Sequence, residues 1–222
     1  MEIIARIYTD FKEKFGIPRQ SGLAKTRGKI VFEPEYRNPD SLRGLEEYSH
    51  LWIIWKFSEL KTDSWSPSVR PPRLGGNKKV GVFATRSPYR PNPIGLSSVK
   101  IDEIKNEKNG PVIYVSGADI LDGTPIYDIK PYIAYTDSHP DAKSGFAEEK
   151  YGKRLNVHMD SVLKDALSKD DLENLFSILE EDPRPQYQND PTRIYGMKFR
   201  DYEIHFSVDG TELYIKDVLK NV

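Results

Sequence analysis

The chain of 222 residues contains no cysteine. Disulfides, iron–sulfur ligation, thiolate zinc sites and a thiol nucleophile are therefore excluded. Histidine is nearly as scarce, with His50, His139, His158 and His205 scattered singly, so no histidine-rich metal site is expected. There is no apolar run approaching the roughly 18 residues that cross a membrane, and "MEIIARIYTDFKEKF" lacks the apolar core of a signal peptide. The expectation is a cytoplasmic protein without a metal or a membrane partner. Motifs are missing too: the glycines of "RLGGNKK", "NPIGLSS" and "LDGTP" sit among strand-like runs, where neither a dinucleotide fingerprint nor a P-loop can form. A Gly-x-Ser-x-Gly nucleophile elbow is also absent.

The most informative absence is local. Net charge is −1 overall, yet no acidic residue lies between Asp63 and Asp102, a stretch holding Arg70, Arg73, Lys78, Lys79, Arg86, Arg90 and Lys100. Outside it, 26 basic residues face all 34 acidic ones. One cationic face on an acidic body suits a phosphate-bearing partner held at a defined place. A solvated, merely solubilising loop is the alternative. Against that stands "ATRSPYRPNPIG", Ala84 to Gly95, where arginines lie between prolines and a glycine. Proline fixes φ and restricts its predecessor, so such side chains have little entropy left to lose on binding.

What is present is mostly β pattern. "GKIVFEP", "SHLWIIWKF", "KVGVFAT", "SSVKIDEI", "GPVIYVSGADI" and "PYIAYT" are short runs rich in β-branched and aromatic residues between turn signals. Many short strands without helices between them predict a barrel or sandwich. One short helix is predicted at "DSLRGLEEY", capped by Asp40 or Ser41. "DSHPDAKSGFAEEKYGKRLN" reads as a linker. Beyond it, apolar residues from Val162 to Leu179 recur near a 3.6 period with a second cap at Ser168 to Asp171. "TRIYGMKFR", "YEIHFSV" and "ELYIKDV" then predict a three-stranded antiparallel meander turning at "VDGTE".

Stiff polar loops carry the candidate chemistry. "KEKFGIPRQSGL" presents Arg19 and Gln20 after Pro18, "VRPPRLGGN" holds Arg70 and Arg73, and "DILDGTPIYDIKPY" carries Asp119, Asp122, Asp128 and Lys130. By spacing alone the last is equally a simple hairpin bending at Asp122 and Gly123. His50, flanked by core-type residues, reads as a structural histidine rather than a base. Trp52 and Trp55 are odd-spaced in a strand, so they face opposite sides and at least one is core.

In this order, "KEKFGIPRQSGL", "GLEEYSHLWIIWKF", "VRPPRLGGNKKVGVFATRSPYRPNPIGLS" and "DILDGTPIYDIKPY" resemble the TsaA/TrmO family of tRNA methyltransferases over residues 12 to 147. "EDPRPQY" resembles that family's small C-terminal domain. The resemblance implies a mainly β fold: a single non-Rossmann β-barrel over residues 1–147 and a small α+β domain over 148–222. It implies S-adenosylmethionine as cofactor and methylation of the exocyclic nitrogen of threonylcarbamoyl-adenosine beside the tRNA anticodon. It also implies a homodimer with the cofactor near the subunit interface.

Carried over by position, cofactor contacts are implied at Pro18, Arg19, Gln20, Ser58, Glu59, Arg86 and Leu96, and at Asp122, Gly123, Thr124 and Pro125. Ser58 departs from the pattern, since several relatives of that family carry histidine there. Chemically, Arg19 or Arg86 can clamp a carboxylate, and Glu59 or Asp122 suits an amine or sulfonium. The nitrogen must lose a proton, and Asp119, Asp122 and Asp128 are the candidate bases. Arg70, Arg73, Lys78, Lys79 and Arg90, interleaved with Trp65 and Tyr89, are the candidates for gripping the anticodon loop. A barrel that binds RNA without catalysis, or a sensor of the small molecule alone, are the competing readings.

Overall fold

The structure, a computed structural model, describes residues 1–60, 64–71, 74, 76–150, 154–185, 188 and 190–220. Its first part is built from β1 (Ala5–Thr9), β2 (Arg27–Phe32), β3 (His50–Lys56), β4 (Ser68–Val69), β5 (Val80–Gly81), β6 (Ile94–Glu107), β7 (Gly110–Ser116) and β8 (Thr124–Pro131). Six of these close into a barrel in the order β1-β2-β7-β6-β3-β8, every neighbouring pair antiparallel. Closure leaves no open sheet edge.

Alternation explains the closure. Along β3, Leu51, Ile53 and Trp55 point inward and are buried, while Trp52 and Ile54 face outward and are half-buried. Ile7, Ile30, Val99, Ile113 and Ile126 from five other strands complete the interior. The strand that seals the ring, β1, is one that the sequence pattern does not announce. It is only five residues long, yet Ala5 sits opposite both Phe32 of β2 and Ile126 of β8.

Three expected elements differ. Only Val80–Gly81 of the run at 79–85 is strand, pairing with β4 in a ribbon outside the barrel before a 3₁₀ turn at Val82–Ala84. "PYIAYT" is not a strand: β8 ends at Pro131, and Ala134–Asp137 forms a single helical turn, α1. Asp137 draws the chain inward there, because Oδ2 accepts hydrogen bonds from Ile133 N and from Trp52 Nε1, both at 2.9 Å. The helix expected at 40–48 is two 3₁₀ turns, Pro39–Leu42 and Leu45–Glu47, capped by Asn38 rather than Asp40 or Ser41. Gly44 between them has φ +88°, which no continuous helix allows.

The second part holds β9 (Asn156–His158), α2 (Ser161–Lys164), α3 (Lys169–Leu179), β10 (Tyr195–Phe199), β11 (Tyr202–Asp209) and β12 (Glu212–Lys220). Ser168 Oγ caps α3 by accepting from Asp171 N at 3.1 Å. The meander β10-β11-β12 forms as the pattern predicts, and β9, from the end of the presumed linker, joins it in parallel beside β12. This sheet packs on α3 through Leu175, Ile178, Leu179, Met197, Phe199 and Phe206. Phe11, Phe15, Ile17 and Ala24, which follow β1, are packed into the same cluster. Arg200 fixes that segment further, pairing with Asp10 at 2.9 Å and also with Asp171.

Candidate active site

The end of β3, the start of β6 and the crossover from β7 to β8 meet at one mouth of the barrel, around a cavity of about 570 Å³. Register brings them together: Trp55 pairs with Gly95 and Ile54 with Leu96. A Cβ on Gly95 would stand 2.2 Å from the Trp55 ring, so glycine is what lets the indole lie flat against β6. Trp55 Nε1 donates to Ser97 Oγ at 3.0 Å, and Ser97 Oγ donates to Asp119 Oδ1 at 2.6 Å. This chain of bonds holds the Asp119 carboxylate in the cavity wall.

Burial pushes the Asp119 carboxyl above its ordinary value, and the Ser97 bond, the Asp119 and Ser21 backbone amides and the nearby Arg86 charge oppose that shift. Desolvation wins because no described counter-ion is in contact with the group. The result is a carboxylate poised to take a proton.

Of the residues expected at a cofactor, Pro18, Arg19, Gln20, Ser58, Glu59, Arg86, Leu96 and Thr124 line this cavity. Asp122, Gly123 and Pro125 do not. Asp122 Oδ1 accepts from Thr9 N at 2.8 Å and Oδ2 pairs with Lys12 at 2.7 Å, stapling the end of β1. The Gly123 carbonyl accepts from Arg6 Nη1 at 3.2 Å, and Pro125 is buried on β8 opposite Arg6. The simple hairpin reading fails as well, since β7 and β8 are not neighbours in the barrel and 117–123 is a crossover. Asp128 lies opposite Ile54, pairs with Lys130 at 2.8 Å and caps Ile129 N. Among the three candidate bases, only Asp119 reaches the cavity.

The two arginines also separate. Arg19 Nη2 donates to the carbonyls of Asp182 and Arg184, at 3.3 and 3.0 Å, so its guanidinium is engaged by the C-terminal part. That loop is itself braced, because Arg184 holds both carboxylate oxygens of Asp182, at 2.8 and 3.0 Å. Arg86 donates to Gln20 Oε1 and touches no described carboxylate. Its positive charge therefore remains to be matched by a ligand. The same cavity also has apolar lining, with Leu96 54% exposed and Trp55 and Phe57 packed at 4.3 Å between ring centroids. An amphiphilic molecule with an anionic end fits these walls, and the volume lies in the range of small-molecule sites.

Arg90 lies in the cavity wall and donates to the carbonyls of Val82 and Thr85, at 3.2 and 2.7 Å. Arg70, Lys78 and Lys79 are exposed on and beside the β4–β5 ribbon, away from the cavity. Arg73 lies outside the described residues. His50 is exposed at the start of β3, bonded to Ser49 Oγ at 2.9 Å, and does not line the cavity. Ser97 escaped the sequence reading. Its one signal is a serine on the inward face of a strand whose other inward residues are Gly95 and Val99, since a buried hydroxyl needs a partner.

Residues 6–138 match the model of the tRNA-methyltransferase O N-terminal domain, and residues 152–221 match that of the TrmO C-terminal domain. The chain belongs to the tRNA-methyltransferase O family. The tRNA (adenine(37)-N6)-methyltransferase of Escherichia coli is 38% identical to it, over 93% of this chain and 92% of that one. A Pyrococcus abyssi protein named a probable S-adenosyl-L-methionine-binding protein is 37% identical over 70% of this chain and 76% of its own. A crystal structure of TrmO from Pseudomonas aeruginosa aligns with a TM-score of 0.79 at 31% identity, covering 99% of this chain and 95% of that one.

Proposed function

We propose that this protein methylates tRNA from S-adenosylmethionine, at the exocyclic nitrogen of threonylcarbamoyl-adenosine next to the anticodon. The observation that carries the reading is that one cavity is lined by both the desolvated Asp119 carboxylate and Arg86, which touches no described carboxylate. When bound, the cofactor supplies an electrophilic methyl group on a positively charged sulfur.

Arg86 would donate to the cofactor's carboxylate, and Leu96 with Pro18 would provide apolar contact for its remaining body. Glu59 and Ser58, shortly after β3 in the same lining, would hold the cofactor's amine. Asp119 takes the proton that the nitrogen gives up as it bonds to carbon, so no histidine is required at position 58. Ser97 and Trp55 keep that carboxylate aimed. Holding both reactants in line can remove about 7–11 kcal/mol of barrier, so positioning supplies most of the acceleration.

Arg90 in the cavity wall and Arg70, Lys78 and Lys79 on and beside the ribbon grip RNA phosphates, a role proposed for Arg73 as well from its place in the sequence alone. Residues 1–147 form the catalytic unit, while 148–222 braces it through Arg19. The protein works as a dimer in the cytoplasm, an assembly that sedimentation velocity measures directly.

The test has two arms. Calorimetry should show one S-adenosylmethionine site that Arg86→Ala weakens, and mass spectrometry should show the methylated nucleoside disappearing from the tRNA of a deletion strain. An unchanged nucleoside profile would remove the enzymatic reading.

A further inference from the structure

Beside the cavity, two large aromatic side chains stand in solvent: Phe83 is 71% exposed and Trp65 50%. Burying such side chains is favourable, so a monomer gains nothing by displaying them together. They are held together, with ring centroids 6.5 Å apart and planes 21° from parallel. The Arg90 guanidinium lies over the Phe83 ring at 5.5 Å and is pinned by the Val82 and Thr85 carbonyls. The backbone beneath is tied by bonds from Ser66 N to Tyr89 O at 3.2 Å and from Val82 N to Pro67 O at 3.0 Å. These bonds brace the surface in the absence of any partner.

Its charge has one sign. No acidic residue occurs from 64 to 101, and of the described cations in that stretch only Lys100 forms an ion pair, with Asp102. The dimer proposed above must keep its seam off the centre of this surface, since a two-fold contact centred here would bring the cations of one copy towards those of the other. An anionic polymer with exposed flat rings matches both properties. Because Arg90 belongs to the cavity wall and to the aromatic stack, the surface continues directly from the place where chemistry is proposed.

We infer that Phe83 and Trp65 are a stacking platform for unpaired bases of single-stranded RNA, flanking the nucleotide that enters the cavity. This rests on the reading of tRNA as substrate. Stacked bases would replace solvent on the rings while the neighbouring cations meet the phosphates.

The test compares binding of an anticodon-arm RNA hairpin and of a blunt RNA duplex to the full chain. Phe83→Ala should weaken hairpin binding roughly tenfold or more, leaving duplex binding, S-adenosylmethionine binding and the salt slope unchanged. Phe83→Trp should restore it, and hairpin should quench fluorescence that is absent in Trp65→Leu. Wild-type hairpin affinity in Phe83→Ala overturns the platform alone. A Phe83→Ala chain that sediments as a smaller species than wild type assigns the surface to contact between copies and also overturns it. Failure of the wild-type chain to bind hairpin or whole tRNA removes the substrate reading and the platform together.

Discussion

Of two hollows among the described residues, the larger is the less promising. Between the barrel and α3 lies a cleft of about 880 Å³, against about 570 Å³ at the barrel mouth. In the cleft the cations are already matched: Lys25 with Glu173 at 3.6 Å, Lys100 with Asp102 at 3.6 Å, Arg154 with Glu180 and Glu181 at 3.3 and 3.1 Å, and Arg27 with Asp170. At the mouth, Arg86 and Arg90 are held by neutral oxygens and Asp119 by a hydroxyl. Charges neutralised inside the fold hold its parts together, whereas charges left without a counter-ion are available to a ligand. Unmatched charge distinguishes the site where size does not.

The sharpest attack on that comparison is Asp119→Asn. It should lower kcat by about 10²–10⁴, as expected for loss of a general base, with S-adenosylmethionine binding retained in calorimetry. The pH dependence follows from the upward shift. Activity should rise with pH through the folded carboxyl's value, above the ordinary 3.8. Stability runs the other way. The folded state holds this proton more tightly than the unfolded chain, so the group's contribution is full at low pH and is lost as pH rises from 3.8 through the folded value. Asp119→Asn removes that slope, and melting at neutral pH should show a variant no less stable than wild type.

Next in size, Arg86→Ala should raise the cofactor's Kd about tenfold or more by removing a charge-assisted contact, and Arg154→Ala in the cleft should leave it unchanged. Equal losses in both variants would erase the distinction between the hollows. Gly95→Ala tests the floor of the mouth: its Cβ would meet the Trp55 ring at 2.2 Å, and overpacking of this kind costs about 1–3 kcal/mol in denaturant unfolding. The smallest effect belongs to Arg154→Ala, whose half-exposed pairs should change stability by less than about 1 kcal/mol.

Much of this was legible one residue at a time. Short runs rich in β-branched and aromatic residues marked β2, β3, β7 and the final meander, because such side chains suit a pleated, half-buried surface. Ser168 marked the start of α3, because a helix N-terminus leaves amides for a side chain to satisfy. The acid-free stretch marked the cationic face. Less legible was β1, too short for its alternation to stand out and visible only through its two partners. "PYIAYT" misled for a related reason: its β-branched and aromatic content favours a strand, but Asp137, reached through Trp52, imposes a helical turn.

The sequence by itself determined which loops are stiff, which stretch is cationic and which strands have a face to bury. These follow from proline geometry, charge and side-chain alternation, all of them local. Only the tertiary structure decided among the three aspartates, sending Asp122 to Lys12, Asp128 to Lys130 and Asp119 into the cavity behind Ser97. It also gave Arg19 to the C-terminal part and left Arg86 to a ligand. The reason is physical: a carboxylate's role is set by its partners and by the water it loses, and both come from residues distant in the chain.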